Sequence, residues 1–362
     1  MRPADFDYPL PPELIAQAPA PERDQSRLLV VHRADRRREH RAFAHFAEYL
    51  SPGDLLVLND SRVIPARLRG AKPATGGQVE ILLVAEQARN EWWVMLRPGK
   101  RVRLGTRLEF RCQTRFANRE GGLRPMGELA ATVVAKDAEG QCLLRFGGVA
   151  DVRAALDEYG EIPLPPYVTR PGAPSEEDRE RYQTVFARTP GSIAAPTAGL
   201  HFTERLLDRI RARGARVCFV TLHVGLGTFA PVKAERVEDH AMHEEAFEVP
   251  AVTAAELNAA KREGRRVVAV GTTTARVLES VADDVRARNG RTRAFIYPPF
   301  QFRIVDVLLT NFHLPRSTLL MLVSAFAAPG GLSGREFILD AYAEAVRERY
   351  RFYSFGDAML LI

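Results

Sequence analysis

Eight histidines occur in the 362 residues, and His201, His223, His243 and His313 fall in or beside segments crowded with Gly, Thr and Asn. An imidazole titrates near neutrality and can move a proton. Small residues beside it let a backbone come close to a ligand. The stretch AAPTAGLHFT (194–203) has both and ends on Thr203, the apparent N-cap of a helix whose first N–H groups need partners. NDSR, LHVGLGTFA, GTTTAR and LTNFHLP repeat the theme. Gly225 to Ala230 matches a dinucleotide fingerprint, but Pro231 follows and no clean helix opens. The match therefore carries no nucleotide assignment, and a ligand-hugging backbone or a plain turn stays open there. GTTTAR has a strand before it and a helix after it. Its N–H groups with the Thr272 and Thr273 hydroxyls can hold a carboxylate or a ribose, or Thr can simply cap the helix. His240 and His243 lack the carboxylates or HExxH spacing of a metal site, so no metal is expected. A P-loop and a GxSxG elbow are both absent, which argues against a P-loop nucleotidase and a serine hydrolase.

The elements that must position these segments differ along the chain. Between Val63 and Phe146 lie six short apolar runs (VIPARLRG, QVEILLV, EWWVMLR, TRLEF, LAATVVA, CLLRF) separated by Gly, Pro and charged turns. Closely spaced strands without helices predict a small barrel or sandwich. Its turns hold Arg97, Lys100, Arg101, Arg103 and Arg107, either a solvated face or a phosphate-contacting stripe. The later half alternates. A helix over Thr203–Ala212 precedes the strand ARVCFVTLHV, and Thr253-x-x-Glu256 reads as a capping box opening a second helix. RRVVAV, a helix from GTTTAR to about Ala287, VDVLLT and a helix opened by Ser333-x-x-Glu336 follow. This predicts an α/β fold: a larger α/β domain, barrel-like or an open mostly parallel sheet, from residues 1–61 and 155–362, with an inserted small all-β barrel domain at 62–154. Ligands of open α/β sheets sit beyond the carboxyl ends of the strands, where four of the polar loops fall.

Bulk composition narrows the class. A hydrophobic content of 46% with 27% charged residues is that of an ordinary globular protein. The net charge of +6 suits a polyanionic partner without requiring one. Three scattered cysteines make no disulfide framework and suit a reducing compartment. MRPADFDYPL lacks a signal-peptide pattern, and LLMLVSAFAA (319–328) falls short of the ~20 residues of a membrane span, so a buried helix and a cytoplasmic protein are expected.

DFDYPLPPELIAQAPAPERDQSRLLV, PGDLLVLNDSRVIPARL, SIAAPTAGLHFT, TLHVGLGTFAPV, VVAVGTTTARVLES, TNFHLPRSTLLMLVSAFA and RFYSFGDAMLLI, in this order, resemble the signature segments of the S-adenosylmethionine:tRNA ribosyltransferase-isomerase family. The resemblance spans Asp5 to Ile362. It implies transfer and isomerisation of the ribosyl group of S-adenosylmethionine onto the aminomethyl group of a 7-deazaguanine at the tRNA wobble position. The products would be epoxyqueuosine-tRNA, adenine and methionine. S-adenosylmethionine is then consumed as a substrate, with no permanently bound cofactor. The expected partner is the anticodon region of tRNA, with no membrane or metal, and the expected state is a monomer. Basic barrel turns and the run HRADRRREHR (32–41) are the candidate phosphate contacts.

On this reading His201 and His313 are the expected catalytic residues, with His223 a third candidate. Asp60, Arg62, Thr197, Gly199, Gly225, Gly227, Thr228, Gly271, Thr272, Thr273, Arg276 and Asn311 are expected to bind substrate. The chain departs from the family pattern at Pro299 and Phe300, where glycine and usually tyrosine are expected, and more mildly at Leu226, Thr274 and Arg316. The competing reading is an S-adenosylmethionine-dependent RNA methyltransferase, suggested by the Gly-x-Gly after a strand.

Overall fold

The computed structural model describes residues 1–99, 102–112, 129–138, 140–225, 232 and 234–362. The chain begins with β1 (Arg27–Val31), β2 (Arg38–Ala42), β3 (Leu55–Asn59) and β4 (Ser61–Val63). It continues through β5 (Arg67–Ala71), β6 (Gln78–Ala88), β7 (Glu91–Arg97), β8 (Arg107–Phe110), β9 (Ala130–Lys136) and β10 (Cys142–Gly147). Then come α1 (Val152–Tyr159), β11 (Gly160–Glu161), α2 (Glu176–Arg181), β12 (Thr189–Ser192), α3 (Glu204–Ala212) and β13 (Arg216–Leu222). Next are β14 (Glu245–Val249), α4 (Ala251–Glu263), β15 (Val267–Val270), α5 (Thr272–Ser280) and β16 (Arg288–Thr292). β17 (Val307–Asn311), α6 (Thr318–Ala327), α7 (Gly334–Arg347) and β18 (Ala358–Leu361) complete it.

Two compact units result. One holds Met1–Arg62, Pro165–Thr169 and Glu180–Ile362; the other holds Val63–Leu164 and Arg170–Arg179. The second thus includes α1 and the chain to Leu164, whereas sequence reading draws the insertion at 62–154.

The larger unit is built on a nine-stranded sheet ordered β16-β14-β13-β3-β15-β17-β18-β1-β2. Its centre, β13-β3-β15-β17, is parallel, as is the pair β18-β1, and the remaining neighbours are antiparallel. The sheet is therefore mixed, with the expected parallel run as its middle. β3, β15, β17 and β18 are buried along their whole length, which is why they read as unbroken apolar runs. Alternate side chains still part to opposite faces: Leu55 and Val57 pack in a core with α4 to α7, Leu56 and Leu58 in a core with α3, Phe43 and Phe46.

Helix starts match the expected signals unevenly. The Thr203 hydroxyl caps α3 by accepting the Leu206 N–H at 3.1 Å. α4 instead begins after Pro250, and Thr253 lies inside its first turn. There its hydroxyl donates to the Phe219 carbonyl at 2.6 Å while Glu256 pairs with Arg216 at 2.7 Å, so no capping box forms. Ser333 makes no side-chain cap either, because its backbone is already near-helical (φ −70°, ψ −14°). α5 stops at Ser280, short of the expected Ala287.

In the smaller unit six antiparallel strands close as β5-β6-β7-β10-β9-β8, with β8 returning to β5 and β11 added beside β5. Leu68, Ile81, Val94, Leu108, Val133 and Leu144 fill its interior, one face of each alternating strand. Of the candidate basic turn residues, Arg107 pairs with Glu109 at 3.3 Å, and Lys100 and Arg101 lie outside the described residues.

Candidate active site

Because β3, β13, β15 and β17 are parallel, their carboxyl ends open on one edge of the sheet. A cleft with about 640 Å³ of empty space lies there. Ala194–Ala198, Gly271–Thr273 at the start of α5, and Thr310–Leu314 after β17 line it, with Tyr167, Val224, Ser317, Leu319, Tyr353 and Ser354. No Asp, Glu, Lys or Arg is among these lining residues.

The start of α5 is open. Gly271 is its N-cap, at φ +89°, a conformation glycine adopts without strain. It has no side chain to cap with, and the N–H groups of Thr272, Thr273 and Thr274 have no partner among the described residues. Thr274 turns its hydroxyl back to the Val270 carbonyl at 2.7 Å, and Thr273 receives a long bond of 3.4 Å from Asn59. The first turn contains no acidic residue. Three bare donors at the positive end of a helix dipole form an anion-binding feature.

His313 lines the cleft. Its Nε2 lies 2.7 Å from Thr310 Oγ1, its backbone N–H donates to the Tyr342 hydroxyl, and its carbonyl accepts from the Tyr8 hydroxyl at 2.5 Å. Burial lowers its pKa from 6.5 to about 3, so the ring is neutral at pH 7. His201 sits behind the cleft wall, 4% exposed and stacked 4.9 Å from Phe43. Thr197 Oγ1 donates to Asn311 Oδ1 at 2.8 Å, which turns the Asn311 amide N–H toward His201 Nε2 at 3.1 Å. Nε2 therefore accepts, and Nδ1 carries the hydrogen toward Ser26 Oγ at 2.7 Å. Burial, with repulsion from Arg351 and Arg23, lowers this pKa also to about 3.

Of the expected substrate contacts, Thr197, Gly271, Thr272, Thr273 and Asn311 line the cleft. His223, Asp60, Arg62, Gly199, Gly225 and Arg276 do not line it. His223 flanks Gly191, where a Cβ would come within 2.7 Å of its ring. Asp60 is occupied: it accepts Thr221 Oγ1 at 2.7 Å and Arg188 at 2.8 Å. Arg62 is exposed. Gly199 is small for packing, since a Cβ there would lie 2.8 Å from Phe186 and Thr184. The Gly225 N–H goes to Glu245, whose other oxygen pairs with the buried Arg276. Gly227 and Thr228 lie outside the described residues.

Sequence reasoning missed Tyr167 and Tyr353, whose rings meet at 4.7 Å in the cleft wall. It also missed Asn59, which clips β3 to Leu222 N–H and C=O at 3.0 Å each. RFYSFGD held the first clue, but the φ of +71° that sets Tyr353 is not legible in residue types. Phe300 packs against Phe302 at 4.9 Å, and neither Pro299 nor Phe300 lines the cleft. In the run at 32–41, Arg37 and Arg41 pair with Glu39 and Arg38 pairs with Glu344, so much of its charge is balanced.

The whole chain matches known proteins. Residues 3–361 fit the family model described as queuosine biosynthesis protein. The chain belongs to that family. It is 49% identical over 364 residues to the S-adenosylmethionine:tRNA ribosyltransferase-isomerase of Thermotoga maritima, and 51% identical over 364 residues to that of Carboxydothermus hydrogenoformans, each covering 100% of both chains. A crystal structure of S-adenosylmethionine tRNA ribosyltransferase from Thermotoga maritima aligns with a TM-score of 0.54 and 39% identity, over 99% of this chain and 100% of that one. These relatives are named for ribosyl transfer, not for methyl transfer. No helix among the described residues is long and apolar enough to cross a membrane.

Proposed function

We propose that the chain transfers and isomerises the ribosyl group of S-adenosylmethionine onto the aminomethyl group of a 7-deazaguanine in tRNA, releasing adenine and methionine. The observation that carries this reading is a cleft whose described lining residues carry no charged side chain, closed at one point by the N–H groups of α5 that have no partner among the described residues. S-adenosylmethionine brings its own sulfonium and ammonium, so a cationic wall would repel it. Its one carboxylate matches the helix start, where dipoles serve in place of an arginine. Tyr167 and Tyr353 offer an aromatic face for adenine.

The sulfonium supplies most of the reactivity, since it acidifies the neighbouring ribose C5′ protons and makes methionine a leaving group. The protein orients the reactants and limits water access. His313, neutral and in the cleft wall, acts as a hydrogen-bonding partner to the ribosyl group, not as a charged acid. His201 is a positioning residue, because it holds the Asn311 amide that in turn faces Thr197. His313→Ala is expected to lower kcat by about 10²-fold, and His201→Ala by less.

The test is a product assay by mass spectrometry with S-adenosylmethionine and tRNA bearing the aminomethyl-deazaguanine. Adenine and methionine together, with a matching mass gain on the wobble nucleoside, are the expected outcome. S-adenosylhomocysteine would mean methyl transfer and overturn the reading.

A further inference from the structure

A second hollow, with about 280 Å³ of empty space, shares Ser354 with the cleft. Arg23, Arg181 and Arg351 line it together with Ser26 and His201. The hydrogen bond from Asn311 to His201 joins the wall of one hollow to the wall of the other.

The three guanidinium groups are held by carbonyls. Arg23 donates to Leu200 (3.1 Å) and Glu180 (3.2 Å), Arg181 to Pro21 (3.1 Å) and Ala20 (2.6 Å), and Arg351 to Ala18 (3.2 Å) and Phe355 (2.6 Å). None of these bonds reaches a carboxylate. A guanidinium has five N–H donors, so most of its capacity remains in each case. The buried Nε of Arg181 has no partner at all among the described residues. Elsewhere the protein supplies acids to half-buried and buried arginines, as Asp178 to Arg170 and Glu245 to Arg276. Here Asp357 gives both oxygens to the backbone N–H groups of Arg27 and Arg351 at 2.8 Å and acts on the Arg351 guanidinium only through space, as the exposed side chain of Glu180 does on Arg23. Arg23 and Arg181 consequently repel each other.

We propose that this recess binds a backbone phosphodiester of the tRNA strand next to the nucleotide held in the cleft. The proposal rests on the function proposed above for the identity of the strand. Planar, multiply donating guanidinium groups match phosphate oxygens, and one shared wall sets phosphate and base side by side. The cleft, whose described lining carries no charged side chain, takes the cationic small substrate, and the arginine recess takes the anionic strand.

The test is equilibrium binding of a labelled anticodon stem-loop RNA to the full chain by fluorescence anisotropy over a potassium chloride series, which needs no turnover. Arg181→Gln and Arg351→Gln are each expected to weaken binding about tenfold at low salt. The slope of log K against log salt should shrink by about 0.7, the share of one single-strand phosphate. Arg351→Lys should keep the wild-type slope, and inorganic phosphate should compete with RNA on the wild type more strongly than on the Gln variants. If Arg351→Gln melts early, Arg181→Gln decides. An unchanged slope in the Gln variants would overturn the proposal. So would a loss of S-adenosylmethionine affinity in place of RNA affinity, which would give the recess to the carboxylate. Absence of adenine from the wild type in turnover would count against the proposed function alone, while the salt slopes still decide the phosphate site.

Discussion

Two helices begin at the cleft, and only one of them has a side-chain cap. At α6, Ser317 lines the cleft and its hydroxyl accepts the Leu320 N–H at 3.2 Å while donating to the Leu314 carbonyl at 2.7 Å. At α5, Gly271 stands in the same place, and the first three N–H groups point to no partner among the described residues. A helix start closed by its own side chain contributes to stability; one left open is a cost that a ligand can offset. The pair separates a helix start that stabilises the sheet edge from one whose donors remain open to a ligand.

The comparison can be broken by removing what anchors α5. Arg276, one turn beyond Thr272, pairs with Glu245, and both are nearly inaccessible. Arg276→Met strands a buried carboxylate and is expected to cost about 3–5 kcal/mol in denaturant unfolding. A loss under 1 kcal/mol would show that α5 is held by its apolar face alone.

A second effect, graded with pH, concerns the two buried histidines. His201 and His313 have folded pKa values of about 3 against an ordinary 6.5. Between those values the unfolded chain binds more protons than the folded one. Their contribution to stability is therefore complete above pH 6.5 and is lost as pH falls toward 3. Each adds a slope of up to about 1.4 kcal/mol per pH unit. Replacing either by Gln should flatten the acid limb of a melting-temperature profile. An acid limb unchanged in both variants would mean that neither ring is held neutral by burial.

The smallest effect sharpens the contrast. Ser317→Ala should lower stability by about 1 kcal/mol and leave the affinity for S-adenosylmethionine as it was. A large drop in that affinity would place ligand recognition at the capped helix as well.

Much of this arrangement was legible in the residues, because burial and turns leave strong local marks. All six expected barrel segments contain strands, and GTTTAR follows a strand as read, although from Thr272 on it is already the first turn of α5. Sequence misread places where a side chain is claimed by a distant partner. Thr253 and Glu256 look like a capping box until β13 takes both, and Asp60, expected to bind substrate, also accepts from Thr221 and Arg188 across the fold. His201 and Gly199 share one short segment with Thr197, yet only Thr197 lines the cleft, a distinction of direction that spacing does not encode. The arginine recess escaped notice because Arg23, Arg181 and Arg351 are far apart in the chain and only folding gathers them.

The central claim is that the open start of α5 holds the carboxylate of S-adenosylmethionine, and titration calorimetry with two ligands tests it most directly. Wild type would be titrated with S-adenosylmethionine and with its decarboxylated analogue, then Gly271→Ala with both. A side chain at φ +89° costs about 1–3 kcal/mol of strain and brings a Cβ to 3.3 Å from Thr273 Oγ1. The account predicts that the wild type prefers the carboxylate-bearing ligand by about 10- to 100-fold and that Gly271→Ala loses most of that preference. Equal binding of the two ligands by the wild type would contradict it.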